Sequence, residues 1–162
     1  RVHQELLNKE KANRKLRRSG AKITASAVAP DHIGFLSVKI IEATDLLAKD
    51  FGGGASDPYC RIRFGAKMVE TAVVKDNCSP KWNDLKQFSV GKMDERKLTI
   101  QIFDWNQVQA HEFLGMAEVD FSALKDNEKK DLWIPLNDQQ NLPSSKRGLL
   151  HIEISFFLDF DQ

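Results

Sequence analysis

From Gly34 onward the apolar residues of this chain fall on every second position. Leu36, Val38 and Ile40 alternate with Phe35, Ser37 and Lys39, and Leu98, Ile100 and Ile102 alternate with Thr99 and Gln101. Near the end, Leu150, Ile152, Ile154 and Phe156 alternate with His151, Glu153 and Ser155. A repeat of two is the pleat of a strand with one face on a core and the other toward water. Turn-forming clusters separate such runs at Lys49–Pro58, Asp76–Lys81, Asp104–His111, Asp126–Asp131 and Asn137–Gly148. No long helical period lies between them. The pattern predicts about eight strands, over 35–41, 59–64, 68–75, 86–91, 97–103, 113–120, 131–136 and 148–158, and hence an all-β antiparallel sandwich.

Residues 1–30 read differently. They hold eight Lys/Arg against two Glu, a net +6, whereas residues 31–162 hold sixteen against twenty-one Asp/Glu, a net −5. The first eighteen residues contain no Gly or Pro and favour helix, and Ser19, Gly20 and Pro30 bracket a linker. Their apolar stripe (Val2, Leu6 and Leu16, with Leu7 beside it) is too thin to bury much surface. The expected division is a basic extension over 1–30, helix then linker, and a β domain over 31–162. The extension is either the solvated end of a helix or a cationic segment that touches anionic lipid.

Several classes are set aside by composition. No run of about eighteen apolar residues exists to span a membrane, and no secretory signal is visible. Cys60 and Cys78 are too few for a disulfide framework or a sulfur-ligated zinc, and are read as reduced thiols of a cytoplasmic protein. His111 adjoins Glu112, but the sequence puts no Ser or Cys nucleophile beside them, so no enzyme is expected. Nucleic-acid binding by the short basic run is not expected either.

Two turns concentrate side-chain oxygens. One runs Lys49-Asp50-Phe51-Gly52-Gly53-Gly54-Ala55-Ser56-Asp57-Pro58, the other Asp104-Trp105-Asn106-Gln107-Val108-Gln109-Ala110-His111-Glu112. Each begins where one apolar strand ends and closes where another begins. Clustered Asp, Asn and Glu are the usual calcium donors, but Asp and Asn are also ordinary turn residues. Taken alone, the two loops leave both readings open.

A wider set of residues resembles a known family. Leu36-Ser37-Val38-Lys39-Ile40-Ile41-Glu42-Ala43-Thr44-Asp45-Leu46, then Ser56-Asp57-Pro58-Tyr59, Ser79-Pro80-Lys81-Trp82-Asn83, Phe103-Asp104 and Phe113-Leu114-Gly115 stand in the order and spacing of a C2 domain. The likeness covers about 34–160. It implies an eight-stranded antiparallel Greek-key β-sandwich with calcium-binding loops at one end. By motif, the metal positions fall on Asp50 and Asp57 in the first loop and on Asp104, Asn106 and Glu112 in the other. Asn106 and Glu112 depart from the usual Asp, which lowers the ligand charge from −5 to −4 and implies fewer ions or weaker binding. Phe51 and Val108 occupy the places of membrane-inserting residues, with Trp105 nearby.

The resemblance thus implies a calcium-dependent, peripheral phospholipid-binding module of a larger protein, monomeric as an isolated domain. A basic face carrying Arg61, Arg63, Lys67 and Lys75 is the candidate phosphoinositide site. The alternative is a calcium-independent C2 domain that binds a protein or phosphoinositides. The family has two circularly permuted forms, and the absence of a clear strand before Gly34 leans toward the second. Trp82 and Trp133 are expected to pack in the core or at strand ends. Lys86 stands where the family pattern has an apolar residue, so its strand is expected at a sheet edge with the amine in water.

Overall fold

The computed structural model of the chain describes residues 5, 7, 8, 28–48 and 54–159. Among them are eight strands: β1 (His32–Thr44), β2 (Pro58–Phe64), β3 (Lys67–Glu70), β4 (Lys81–Gly91), β5 (Lys97–Asp104), β6 (Glu112–Asp120), β7 (Lys129–Pro135) and β8 (Leu149–Leu158). They form two four-stranded sheets, ordered β4-β1-β8-β7 and β3-β2-β5-β6. Every pairing is antiparallel, and the terminal strand β8 lies between β1 and β7. The all-β sandwich expected from the period-two runs is the fold observed.

The alternating residues meet between the sheets. Leu36, Val38 and Ile40 of β1, Ile62 of β2, Phe88 of β4, Leu98, Ile100 and Ile102 of β5, and Leu150 and Ile152 of β8 are wholly excluded from solvent. Each such side chain stabilises the fold by roughly 1.5–3 kcal/mol relative to exposure. Both pairings of β1 shift register between Ile40 and Glu42. This bulge reverses the parity of the strand, so Ala43 turns inward and Glu42 outward, opposite His151.

β1 runs three residues beyond the period-two reading at each end, and β3 and β4 each differ from it by five residues at one end. β3 ends at Glu70, because the next residues pair with β2 through a side chain. Thr71 N–H donates to Cys60 O at 2.9 Å, and Cys60 N–H donates to Thr71 Oγ1 at 2.9 Å. β4 begins at Lys81 rather than 86, pairing Asp84 with Ile40 and Leu85 with Lys39. It is an edge strand, as expected from Lys86, but the amine is not in water. Lys86 is 6% exposed, and its Nζ lies 3.0 Å from Asp84 Oδ2, two residues away on the same inward face. The ion pair replaces the solvent contact expected for it.

Trp133 also departs from expectation. On β7 the inward positions belong to Leu132 and Ile134, which pack against the core, so Trp133 faces out and is 48% exposed. Its ring stacks on His151, with centroids 4.1 Å apart and planes 13° from parallel. Trp82 does pack against the core, and its Nε1–H donates to Pro58 O at 3.3 Å. Cys60 is buried, Cys78 is half-buried, and neither forms a disulfide. No helix among the described residues is long and apolar enough to cross a membrane.

Candidate functional site at the loop end

Strand register sets the site. β1 ends at Thr44, β2 starts at Pro58, β5 ends at Asp104 and β6 starts at Glu112. Pro58 pairs with Asp104, and Asp104 pairs with Glu112, so the two oxygen-rich turns emerge side by side at one end of the sandwich. Asp104, only 4% exposed, accepts the Asp57 N–H on Oδ1 at 2.8 Å, while Trp105 N–H donates to Asp57 O at 2.9 Å. This reciprocal pair fastens the loop before β2 to the loop after β5. Asp57 Oδ1 in turn accepts the Asp76 N–H at 2.7 Å, and Asp76 Oδ1 accepts the Ala55 N–H at 3.1 Å. Three loops are thereby stitched together through carboxylates and backbone amides.

Two sheets with this strand order and a linked loop end are matched by known proteins. The sequence fits the family model of the C2 domain over residues 34–136. The chain belongs to the C2 domain family. It is 33% identical over 119 residues to mouse Ras GTPase-activating protein 4, covering 74% of this chain and 15% of that protein. It is 31% identical over 141 residues to Arabidopsis thaliana synaptotagmin-3, covering 82% of this chain and 26% of that protein. This C2 domain therefore spans only a small part of such relatives. Among solved structures, a C2 domain of plant extended synaptotagmin 1 superposes with a TM-score of 0.71 at 27% identity, covering 80% of this chain and 98% of that one. The calcium-bound pair of C2 domains of extended synaptotagmin 2 gives a TM-score of 0.68 at 32% identity, covering 79% of this chain and 47% of that one.

Within this C2 domain the residues expected from sequence fall in different places. Asp57 and Asp104 are brought together, and Glu112 stands at the same level on the neighbouring strand. Among the described residues no three His, Cys, Asp or Glu form a group able to hold a metal ion. Asp50 and Phe51 lie outside the described residues. Asn106 uses its Oδ1 to accept the Val108 and Gln109 N–H groups at 3.1 and 3.2 Å, which folds its own loop into a tight turn. That turn carries Val108 outward, 89% exposed. Trp105 is half-buried, with Lys75 Nζ 5.1 Å from its ring centre and the His111 ring 6.3 Å away.

The four basic residues do not form one patch. Arg61 and Arg63 share the outer face of β2 with Tyr59. There Arg61 pairs with Glu70 at 3.0 Å and lies 4.9 Å over the Phe103 ring, while Arg63 is exposed. Lys67 pairs with Phe64, an inward position, and its Nζ donates to Ser89 O at 2.9 Å across the open edge of the sandwich. It caps an edge carbonyl of β4 instead of joining the arginines. Lys75 stands at the loop end, on Trp105.

Sequence reasoning missed the link of Asp76 to this end and the contact of His111 with Tyr59. Asp76 has φ near 54°, a left-handed conformation that Asp tolerates in turns. Its place in the turn cluster 76–81 was visible, but its bond to Asp57 crosses nineteen residues. His111 Nδ1 and Tyr59 Oη share a hydrogen bond, with their rings edge to face. Burial pushes the Tyr59 hydroxyl pKa up, Arg61 draws it down and Glu70 adds to the rise, so the phenol stays protonated and available to His111.

Proposed function

We propose that this domain docks peripherally on anionic phospholipid through its loop end, with calcium as the switch. The observation that supports the reading is the Asp57–Asp104 linkage, in which the Asp104 carboxylate accepts the Asp57 backbone N–H and so brings two acidic residues to one strand end, with Glu112 paired to Asp104 on the neighbouring strand. Carboxylates held close repel each other and favour a cation between them. The three described carboxylates do not by themselves form a metal-holding group, so on this reading calcium would be held by Asp57, Asp104 and Glu112 only together with donors added from the two loops. Asp50 and the Asn106 oxygen, once released from its turn, are the further donors needed to approach six to eight oxygens. Calcium, when bound, supplies local positive charge and open positions for headgroup oxygens. Without it, the carboxylates of this end repel an anionic surface. Val108, exposed at the tip of its loop, is the residue that would enter the interface, contributing roughly 1.5–3 kcal/mol. Phe51 would be the matching tip of the first loop. Arg61 and Arg63 offer a second contact for phosphoinositides on the outer face of β2. On this reading the chain is a targeting module at the cytoplasmic face of membranes, and not an enzyme.

A second reading is favoured by one observation: the Asn106 oxygen is already engaged by its own loop. A domain that keeps that turn closed would bind lipid or protein without calcium. Co-sedimentation with phosphatidylserine vesicles distinguishes the two. The calcium reading expects the chain in the pellet with calcium, in the supernatant with chelator, and in the supernatant for Asp57→Asn combined with Asp104→Asn. Equal pelleting with calcium and with chelator selects the second reading, and no pelleting in either condition removes lipid docking.

A further inference from the structure

We propose that the outer face of the β4-β1-β8 sheet is the seat of the chain's own basic N-terminal segment, the one that carries Leu7 and Asn8. Outward positions of a sandwich sheet face water unless something covers them. On the other sheet Arg63 and Glu118 are exposed and Arg61, Thr99 and Gln101 are half-exposed, and the buried outward residues Tyr59 and Met116 have visible neighbours, His111 and Asn137. On the β4-β1-β8 sheet the outward row Gln87, Ser37 and Ser155, with Ser89 next to it, is buried, and Ser37 is only 4% exposed. These are short or polar side chains at cross-strand neighbours, too small to hide one another. Ser37 Oγ is buried without a hydrogen-bond partner, an unusual state for a hydroxyl that faces away from the core. Phe35 and Phe157 pair across β1 and β8 beside this row and are half-buried, forming an apolar wall to a shallow polar trough.

The chain itself identifies the occupant. Asn8 Nδ2–H donates to Asp159 Oδ1 at 3.3 Å. Glu5, Leu7 and Asn8 are helical and half-buried. On the other side of the nineteen residues 9–27, Ala29 N–H donates to Ser89 Oγ at 3.0 Å. The His32 ring joins Ser89 Oγ at 2.7 Å to Asp159 Oδ2 at 3.3 Å. Both ends of that segment are thus fastened to one corner of the trough. Such a tether keeps the effective local concentration of the segment high, on the order of millimolar. Its thin apolar stripe suits a shallow trough rather than a deep core. Its net charge of +6 complements the −5 of the remainder. The corner lies at the His32 end of β1, opposite the Thr44 end that leads into the loop site, so the seat does not compete for the loop tips.

The test is a disulfide trap in the full chain, in a Cys78→Ser background. Asn8→Cys with Asp159→Cys is compared with Asn8→Cys and Asp131→Cys, the latter on the exposed far strand β7. The seat expects intramolecular bridging of the first pair to run about tenfold or more faster than the second. Equal rates would mean an arm that wanders over the surface, and bridged dimers alone would mean that a second copy fills the trough; either outcome overturns the proposal. Adding Ser37→Arg puts a long cation into the trough. It should slow bridging of the 8–159 pair severalfold while urea unfolding stays cooperative, and an unchanged rate would confine the contact to the corner and also overturn the seat.

Discussion

Replacing Asp104 by two different residues separates its structural duty from its charge. Asp104→Ala removes the acceptor for the Asp57 N–H, a bond of 2.8 Å at a side chain only 4% exposed. The amide is left unpaired where water enters poorly, at a cost of about 1–3 kcal/mol. A hydrogen bond to an ionised acceptor is itself worth about 1.5–3 kcal/mol, which points to the same range. Asp104→Asn keeps an oxygen facing that N–H and removes the negative charge opposite Glu112. Its stability in chelator should therefore stay within about 0.5 kcal/mol of the parent, because eased repulsion offsets the weaker acceptor. With a urea slope of about 1–3 kcal/mol per molar, the Ala variant should unfold about 1 M earlier and the Asn variant at nearly the parental midpoint. In added calcium the order should change, since only the parent should gain stability by ligand linkage. Urea titrations of the three proteins, each with chelator and with calcium, measure all of this. Parental stability for Asp104→Ala in chelator would refute the claim that this carboxylate fastens the two loops.

Further outcomes follow from other residues. His151 bonds Asp131 at 2.7 Å and Glu42 at 3.1 Å through its two ring nitrogens; burial alone would lower its pKa, but the two carboxylates outweigh this and hold it above the ordinary value. Both bonds are donated only by the imidazolium, so this contribution to stability is full below the unfolded-state pKa and is lost as pH rises through the higher folded-state pKa. His151→Gln should flatten the fall of the urea midpoint between about pH 6 and pH 8; an unaltered pH profile would contradict the assignment. Lys86→Met leaves Asp84 without its partner 3.0 Å away. With Asp84 partly open to solvent, the loss should sit at or below the low end of the roughly 3–5 kcal/mol seen for broken buried pairs. Thermal denaturation of that variant beside the Lys86→Met, Asp84→Leu double variant should show the double change restoring part of the loss.

The parts of the fold that announce themselves are those where side-chain parity and burial agree. Leu36, Val38 and Ile40, Leu98, Ile100 and Ile102, and Leu150, Ile152 and Ile154 mark β1, β5 and β8 because these alternate positions are buried in the core while their neighbours face outward. Parity fails where the backbone breaks it. The bulge after Ile40 inverts β1, and no local residue type marks that inversion. Lys81 to Leu85 carries polar residues on an edge strand, so β4 looks five residues shorter than it is. Thr71 completes the β3 side of the ladder with a hydroxyl, which reads from sequence as continuing strand. The placing of Asp57, Asp104 and Glu112 at one end of the sandwich was legible from the order of motifs, and the exposure of Val108 from its position in the loop. The link of Asp76 to Asp57, the closed turn at Asn106 and the diversion of Lys67 to Ser89 O depend on which strands adjoin in space. The exposed Trp133 escaped for a related reason: its size suggested core, while its place between inward-facing Leu132 and Ile134 puts it on the outside.

The loop end as the docking surface is tested most directly by a polarity-sensitive dye at one position per protein. Val108→Cys carries it at the tip, and Met93→Cys, 86% exposed in the turn between β4 and β5 at the other end, carries the control. With phosphatidylserine vesicles and calcium, the dye at 108 should shift to the blue and that at 93 should not, and chelator should reverse the shift. Equal shifts at both positions, or none at 108 while the protein is bound to vesicles, would contradict docking through the Asp57–Asp104 end.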